Sequence, residues 1–205
     1  MSVPRSNLLV WLLIALSIPI GLYARMFQLR LTGDPSFWAR FDEMPIMAAM
    51  HILGGGTVLL IGGFQFLAGM RSRYINLHRW LGRSYLILVA IGGTGGLVLA
   101  TSADGGLVAR FGFGLLAVVW LFSAAKAYAA IRRSDVVSHR AWMTRNYALA
   151  FAAVTLRIYL GVFEVLGVEF ESSYPVVAWI SWVPNLIAVE WFLLSNLRLS
   201  QGVAR

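Results

Sequence analysis

The chain has 205 residues, 59% of them hydrophobic and only 13% charged, with a mean hydropathy of +0.74. A soluble domain carries about 25% charged residues, so the apolar surplus belongs in lipid and the chain reads as an integral membrane protein. The formal net charge of +8 is spread between apolar runs, which argues for membrane topology and against nucleic acid, and the absence of cysteine excludes disulfides, thiolate metal sites and Cys nucleophiles.

Six apolar runs reach the roughly 20 residues that a helix needs to cross a bilayer, so an all-α, six-span protein is expected. The first run, 7–23, begins like a signal peptide, but no small-x-small cleavage site follows Gly21, so it is read as a retained helix. Residues 26–43 form the longest polar connection, with Asp34-Pro35 as its turn. Spans follow at 44–70 and 80–101, then a turn at 102–106 rich in residues tolerant of positive φ. Further spans are expected at 109–131, 141–166 and 175–197, with a short acidic loop at 168–174 between the last two. This divides the chain into a first helix with its loop (1–43), a four-helix core (44–166), and a sixth helix with a tail (167–205).

Arg5, Arg71, Arg73, Arg79, Arg83, Arg132, Arg133, Arg140, Arg145, Arg198 and Arg205 fall on one side of these spans. Arg25, Arg30, Arg40 and Arg110 fall on the other, where most of the acids also lie. The arginine-rich side is expected to be cytoplasmic, with both termini inside.

One pattern occurs twice. Arg71 is followed by His78-Arg79-Trp80, Arg83 and Tyr85, and Arg132 by His139-Arg140, Trp142, Arg145 and Tyr147. The offset is 61 residues through the His-Arg pair and 62 after Ala141. Each copy separates two apolar runs, so spans 2–3 and 4–5 read as parallel repeats of a duplicated core. Small residues say how these helices meet: Ala48, Gly55, Gly62 and Gly69 recur every seven residues, and Gly92-Gly93 and Gly95-Gly96 offer a notch.

Ionisable groups at membrane depth are functional hypotheses by default. His51 lies about 12 Å along its span from Glu43, and Arg157 about 14 Å from the matching end of its own, so they share a depth. Arg157 has Glu164 as an alternative partner. Lys126 and Glu190 sit at comparable depths and are expected to form a structural ion pair.

His78 and His139 are expected in the first turn of their helices, behind Asn76 and Ser138 as caps, where the helix dipole favours neutral imidazole. Trp80, Tyr85, Trp142 and Tyr147 would form an aromatic belt. Two neutral imidazoles at one depth suit the iron of one haem b, with Arg79 and Arg140 for its propionates. A quinone headgroup held by His and Arg is the other redox reading. Two bis-His haems would need four histidines, and the chain has three. The rival class is a non-redox transporter, or a protein binding lipid or an anionic small molecule through the same arginines. Hydrolase and nucleotide-loop motifs are missing.

The stretches His78-Arg-Trp-Leu-Gly-Arg83-Ser-Tyr85 and His139-Arg-Ala-Trp142-Met-Thr-Arg145-Asn-Tyr147 resemble a bacterial family of predicted multi-pass membrane proteins that is described as a domain of unknown function. The likeness runs from His51, through Gln65-Phe66, to Arg157, and leaves the first and sixth spans outside. It implies that His51, Gln65, His78, Arg79, Arg83, His139, Arg140, Trp142, Arg145 and Arg157 belong to the family pattern. An inner-membrane location follows from that resemblance, and no activity does.

Overall fold

A computed structural model of the chain describes residues 5–33 and 35–202. Asp34 and Arg205 lie outside these residues, and the side chains of Arg5, Arg40 and Arg198 are likewise not described. Helix α1 (Arg5–Gln28) leads to a short α2 (Pro35–Asp42) in the long connection. Helix α3 (Pro45–Gly62) opens on a proline, whose missing N–H costs nothing at a first helical position. A 3₁₀ turn (Gly63–Phe66), the short α4 (Ala68–Ser72) and α5 (Ile75–Ala100) follow. Gly105 and Gly106, at φ +80° and +68°, make the turn into α6 (Gly106–Arg132). Then come α7 (Val136–Ala150), α8 (Ala152–Val165), α9 (Phe170–Ile180) and α10 (Val183–Gly202).

Six stretches are long and apolar enough to cross a membrane, and each overlaps one expected span: Leu8–Gln28, Pro45–Phe66, Ile75–Ala100, Gly106–Arg132, Val136–Val165 and Phe170–Ser195. Among the described residues there is no strand. The outward surface is apolar, with Leu12, Ile87, Phe111, Phe122 and Trp191 all exposed, a belt that lipid covers. The sixth stretch begins at Phe170, so most of the expected acidic loop is helix. Glu171 in its first turn explains this, because a carboxylate there meets the positive end of the helix dipole.

Helices α1, α3, α5, α6 and α7–α8 follow one another round a ring, which closes where α8 touches α1; α9 packs on α6 and α8, and α10 on α7. The α3–α5 contact is made through backbone. A side chain on Gly54 would begin 3.0 Å from the Gly92 Cα, and one on Gly95 would begin 2.6 Å from the Met47 carbonyl oxygen. The notch at 92–96 is therefore real, but the seven-residue stripe is only half used. Ala48 is buried and Gly62 packs against two tyrosines, whereas Gly55 and Gly69 face open space. A straight helix drifts about 20° per heptad, and the chain leaves α3 before Gly69.

At the end of the bundle that carries the His-Arg pairs, the core is polar inside. The Tyr85 hydroxyl donates to Asn146 Oδ1 at 2.8 Å, and Asn146 Nδ2 donates to the Trp120 carbonyl (2.9 Å) and Ser123 Oγ (2.8 Å). The Tyr147 hydroxyl is 2.9 Å from Ser17 Oγ. Tyr85 and Tyr147 are 1% and 3% exposed, so the expectation of an interfacial belt fails for these two; Trp80, 64% exposed, fits it. The tyrosines are buried because Gly62 leaves room for both ring edges, 2.7 and 2.8 Å from where a side chain would start.

Glu190 pairs with Arg145, not Lys126. Arg145 Nε and Nη2 donate to its two carboxylate oxygens at 2.5 and 2.8 Å. The reason is docking: α10 lies on α7, which carries Arg145, rather than on α6, which carries Lys126. Lys126 instead sits over the Trp142 and Phe122 rings at 5.7 and 5.9 Å. Two spans are interrupted, one at Phe151 and one between α9 and α10, and the interruptions face each other. Thr155 Oγ1 donates to the Ser181 carbonyl, and Asn185 Nδ2 reaches the carbonyls of Ser181 (2.9 Å) and Ala148 (3.2 Å).

Candidate functional site

The six residues singled out as a site form two groups at opposite ends of the bundle. His78, Arg79, His139 and Arg140 gather at the arginine-rich end, and His51 and Arg157 share a cavity in the other half.

At the basic end, Ile75 and Val136 each begin a helix, so His78 and His139 hold the same fourth helical position. The expected caps are not used. Asn76 lies inside α5, whose flanking Tyr74 makes no side-chain bond, while Asp135 caps α7 by accepting from the Ser138 N–H. His139 Nδ1 donates to the Ala127 carbonyl at 2.9 Å, which fixes the orientation of the ring. His78 Nδ1 is buried without a partner, and Arg71, His139, Arg140 and Arg79 all lie close enough to act on that ring's charge. Arg71 donates to the carbonyls of Phe66 (3.2 Å) and Gln65 (3.4 Å), closing the open end of the 3₁₀ turn. Burial, and then the positive charge of Arg140, hold its guanidinium below its ordinary value.

In the other half, a cavity of about 720 Å³ lies within the helix ring. Its wall is mostly apolar, with Leu59, Phe113 and Leu156 among its residues, and polar groups reach it from His51 on α3, Arg157 on α8, Tyr23 on α1, Trp120 on α6 and Tyr174 on α9. Sequence dictates the pose of His51. Gly96 leaves a slot for the ring, since a side chain there would begin 2.6 Å from His51 Nδ1, and that nitrogen donates to the Gly92 carbonyl at 3.0 Å. His51 Nε2 is thereby the free acceptor, and the residue is exposed to the cavity.

Arg157 Nη1 donates to the Ala153 carbonyl at 2.8 Å, and its guanidinium lies 5.3 Å from the Tyr23 ring centre. Among the described residues no carboxylate pairs with it; the expected alternative, Glu164, does not. Trp120, 7% exposed, has an indole N–H without a partner.

The cavity can take an apolar molecule with an oxygen-bearing head. Its size lies in the usual range for small-ligand sites, about 300–1,000 Å³, and its few polar groups are what such sites use for orientation. Trp120 and Tyr23 had no signal in the sequence, because a cavity formed between many helices has no local pattern. Thr155 and Asn185 did have one, being polar residues at membrane depth.

The sequence profile of a family of predicted membrane proteins, DUF2306, matches residues 48–193. The match runs from α3 into α10, so it takes in the sixth span, which the resemblance had left outside, and omits the first. No curated protein and no solved structure matches the chain. With most of its length matched, from the glycine-lined seat of His51 to the Arg145–Glu190 pair, the chain belongs to the DUF2306 family of predicted membrane proteins, a domain of unknown function.

Proposed function

We propose that the protein is a membrane redox protein that binds a quinone in the cavity between His51 and Arg157, in a bacterial inner membrane with the basic end and both termini cytoplasmic. The observation that carries this reading is the cavity itself, apolar in its wall and furnished with one histidine and one arginine that no carboxylate among the described residues neutralises. A quinone ring and prenyl tail suit the wall. An oxidised quinone carbonyl accepts a hydrogen bond from the Arg157 guanidinium. A quinol hydroxyl donates to His51 Nε2, which the Gly92 bond leaves unprotonated. The positive-inside bias of the arginines supports the orientation.

The purified full chain, titrated with a short-chain ubiquinone and followed by tryptophan quenching, is expected to bind it. His51→Ala and Arg157→Gln are each expected to weaken binding about tenfold, the loss of one good polar contact. The absorption spectrum decides against the alternatives. A Soret band that disappears in His78→Ala or His139→Ala replaces the quinone with one haem b between those imidazoles. A colourless protein that binds no quinone sinks the redox reading and leaves a non-redox transporter or lipid-binding protein.

A further inference from the structure

We infer that the basic end of the bundle carries a second binding site, independent of the quinone reading, in which Gln65, His78, Arg71 and Arg140 hold a phosphate-class oxyanion.

Gln65 is the central observation. It lies in the 3₁₀ turn after α3, is 7% exposed, and has neither amide atom partnered. A buried amide that bonds nothing has lost its water without compensation, and Gln65 leaves both its donor and its acceptor unmet. Its amide is aimed at α5: Oε1 lies 3.9 Å from where a side chain on Gly82 would begin. Gly82 is one turn beyond His78 on the same helix face, and the His78 Nδ1 is the other buried atom there without a partner. The absence of a side chain at Gly82 keeps the space between them open.

Charge points the same way. Arg71 is fixed beside Gln65 by its bonds to the Gln65 and Phe66 carbonyls. Arg140 on α7 lies close enough to act on the charge of both Arg71 and His78, so cations from α4 and α7 gather round this histidine. The Arg30–Asp42 and Arg145–Glu190 ion pairs engage other arginines and do not neutralise this cluster. Like charges held together in a half-buried place repel one another unless an anion joins them.

A tetrahedral phosphate answers each unmet group. Its oxygens accept from the Gln65 Nε2 hydrogens, the guanidinium groups and an Nδ1–H of His78. A phosphate hydroxyl donates to Gln65 Oε1. A phosphate monoester on a lipid headgroup and a free phosphate present this same chemistry.

The test uses the full chain, purified in detergent and stripped of lipid, with two probes. One is inorganic phosphate, titrated by calorimetry at low ionic strength. The other is phosphatidylcholine nanodiscs with or without phosphatidic acid, scored by native mass spectrometry for retained phosphatidic acid. Binding of phosphate marks a free phosphate-class ligand, and retention of phosphatidic acid without phosphate binding marks the lipid headgroup; either supports the site. Gln65→Leu is expected to weaken the bound probe about tenfold while leaving the ligand-free thermal midpoint unchanged or higher, because it removes an unpaired buried amide. Arg140→Gln, on an exposed side chain, is expected to weaken it similarly and serves if the first variant fails to fold. His51→Ala is expected to bind phosphate as the wild type does, which separates this site from the cavity. Wild-type protein that binds neither probe, or variants that bind as tightly as wild type, overturn the proposal.

Discussion

Tyr85 and Asn146 stand 61 residues apart, the spacing of the repeated His-Arg pair, and they are hydrogen-bonded to each other at 2.8 Å. The bond ties α5 to α7 in the basic half of the bundle, where neither helix otherwise packs closely on the other. Through Asn146 Nδ2 it also reaches α6, at the Trp120 carbonyl and Ser123 Oγ.

That network sets the first prediction. Asn146→Leu strands the Tyr85 hydroxyl in the buried core, while Ser123 Oγ keeps its own bond to the Trp120 carbonyl. With a cost of about 1–3 kcal/mol for the hydroxyl left unmet and about 1 kcal/mol for the lost Asn146 amide bonds, a destabilisation of roughly 2–4 kcal/mol is expected. Tyr85→Phe, which leaves only Asn146 Oδ1 unmet, is expected to cost about half as much. Thermal unfolding in detergent measures both, and an Asn146→Leu midpoint equal to wild type would mean that the network contributes nothing.

Gly96 provides a test of how His51 is seated. A methyl there would begin 2.6 Å from His51 Nδ1, so Gly96→Ala must push the ring off the Gly92 carbonyl. Quinone affinity is expected to fall about as far as in His51→Ala, about tenfold, because the ring no longer holds its acceptor in place. Gly69→Ala, on a short helix with nothing within 4 Å, is the matched control and is expected to change nothing.

The Arg145–Glu190 pair is bidentate but partly open, with 22% and 40% of the two side chains exposed. Glu190→Gln is therefore expected to loosen the docking of α10 on α7 by only about 1 kcal/mol after screening by solvent. Lys126→Met is expected to have no effect on that docking. A double-mutant cycle read from unfolding midpoints distinguishes the two cations, and a coupling between Lys126 and Glu190 larger than that between Arg145 and Glu190 would refute the assignment.

Asp135 makes the start of α7 sensitive to acid. Hydrogen bonds from Ser138, side chain first and then backbone, hold the Asp135 carboxyl below the usual carboxylate range. A carboxyl lowered in the folded state stabilises above its unfolded value, about 3.9, and that contribution is lost as pH falls through the lowered value. Amide exchange at Ser138 and His139 is expected to quicken in that acid window. Asp135→Asn keeps a capping oxygen and should abolish the pH dependence without loosening the turn at neutral pH. Equal acid sensitivity in the two proteins would remove Asp135 as the cause.

Much of the architecture is a property of the sequence alone. Hydropathy over a window the length of a bilayer is a local quantity, so the six spans follow from composition. The duplicated His-Arg pattern is equally local, and it returns as His78 and His139 at the same helical position. The glycines at 92–96 declare a close approach because no other residue permits one. What could not be read is anything that depends on which helix faces which. Glu190 has two cations at similar depth, and only the docking of α10 on α7 selects Arg145. Tyr85 and Tyr147 look interfacial by residue type and become core because Gly62 makes room for them. His51, Arg157, Tyr23 and Trp120 come from four helices and meet only round a cavity. The sequence determined how many helices cross and which residues are costly to bury there. Tertiary structure decided the partners, because helices packed in lipid find one another through side-chain shape and unmet hydrogen bonds, which no single stretch of the chain contains.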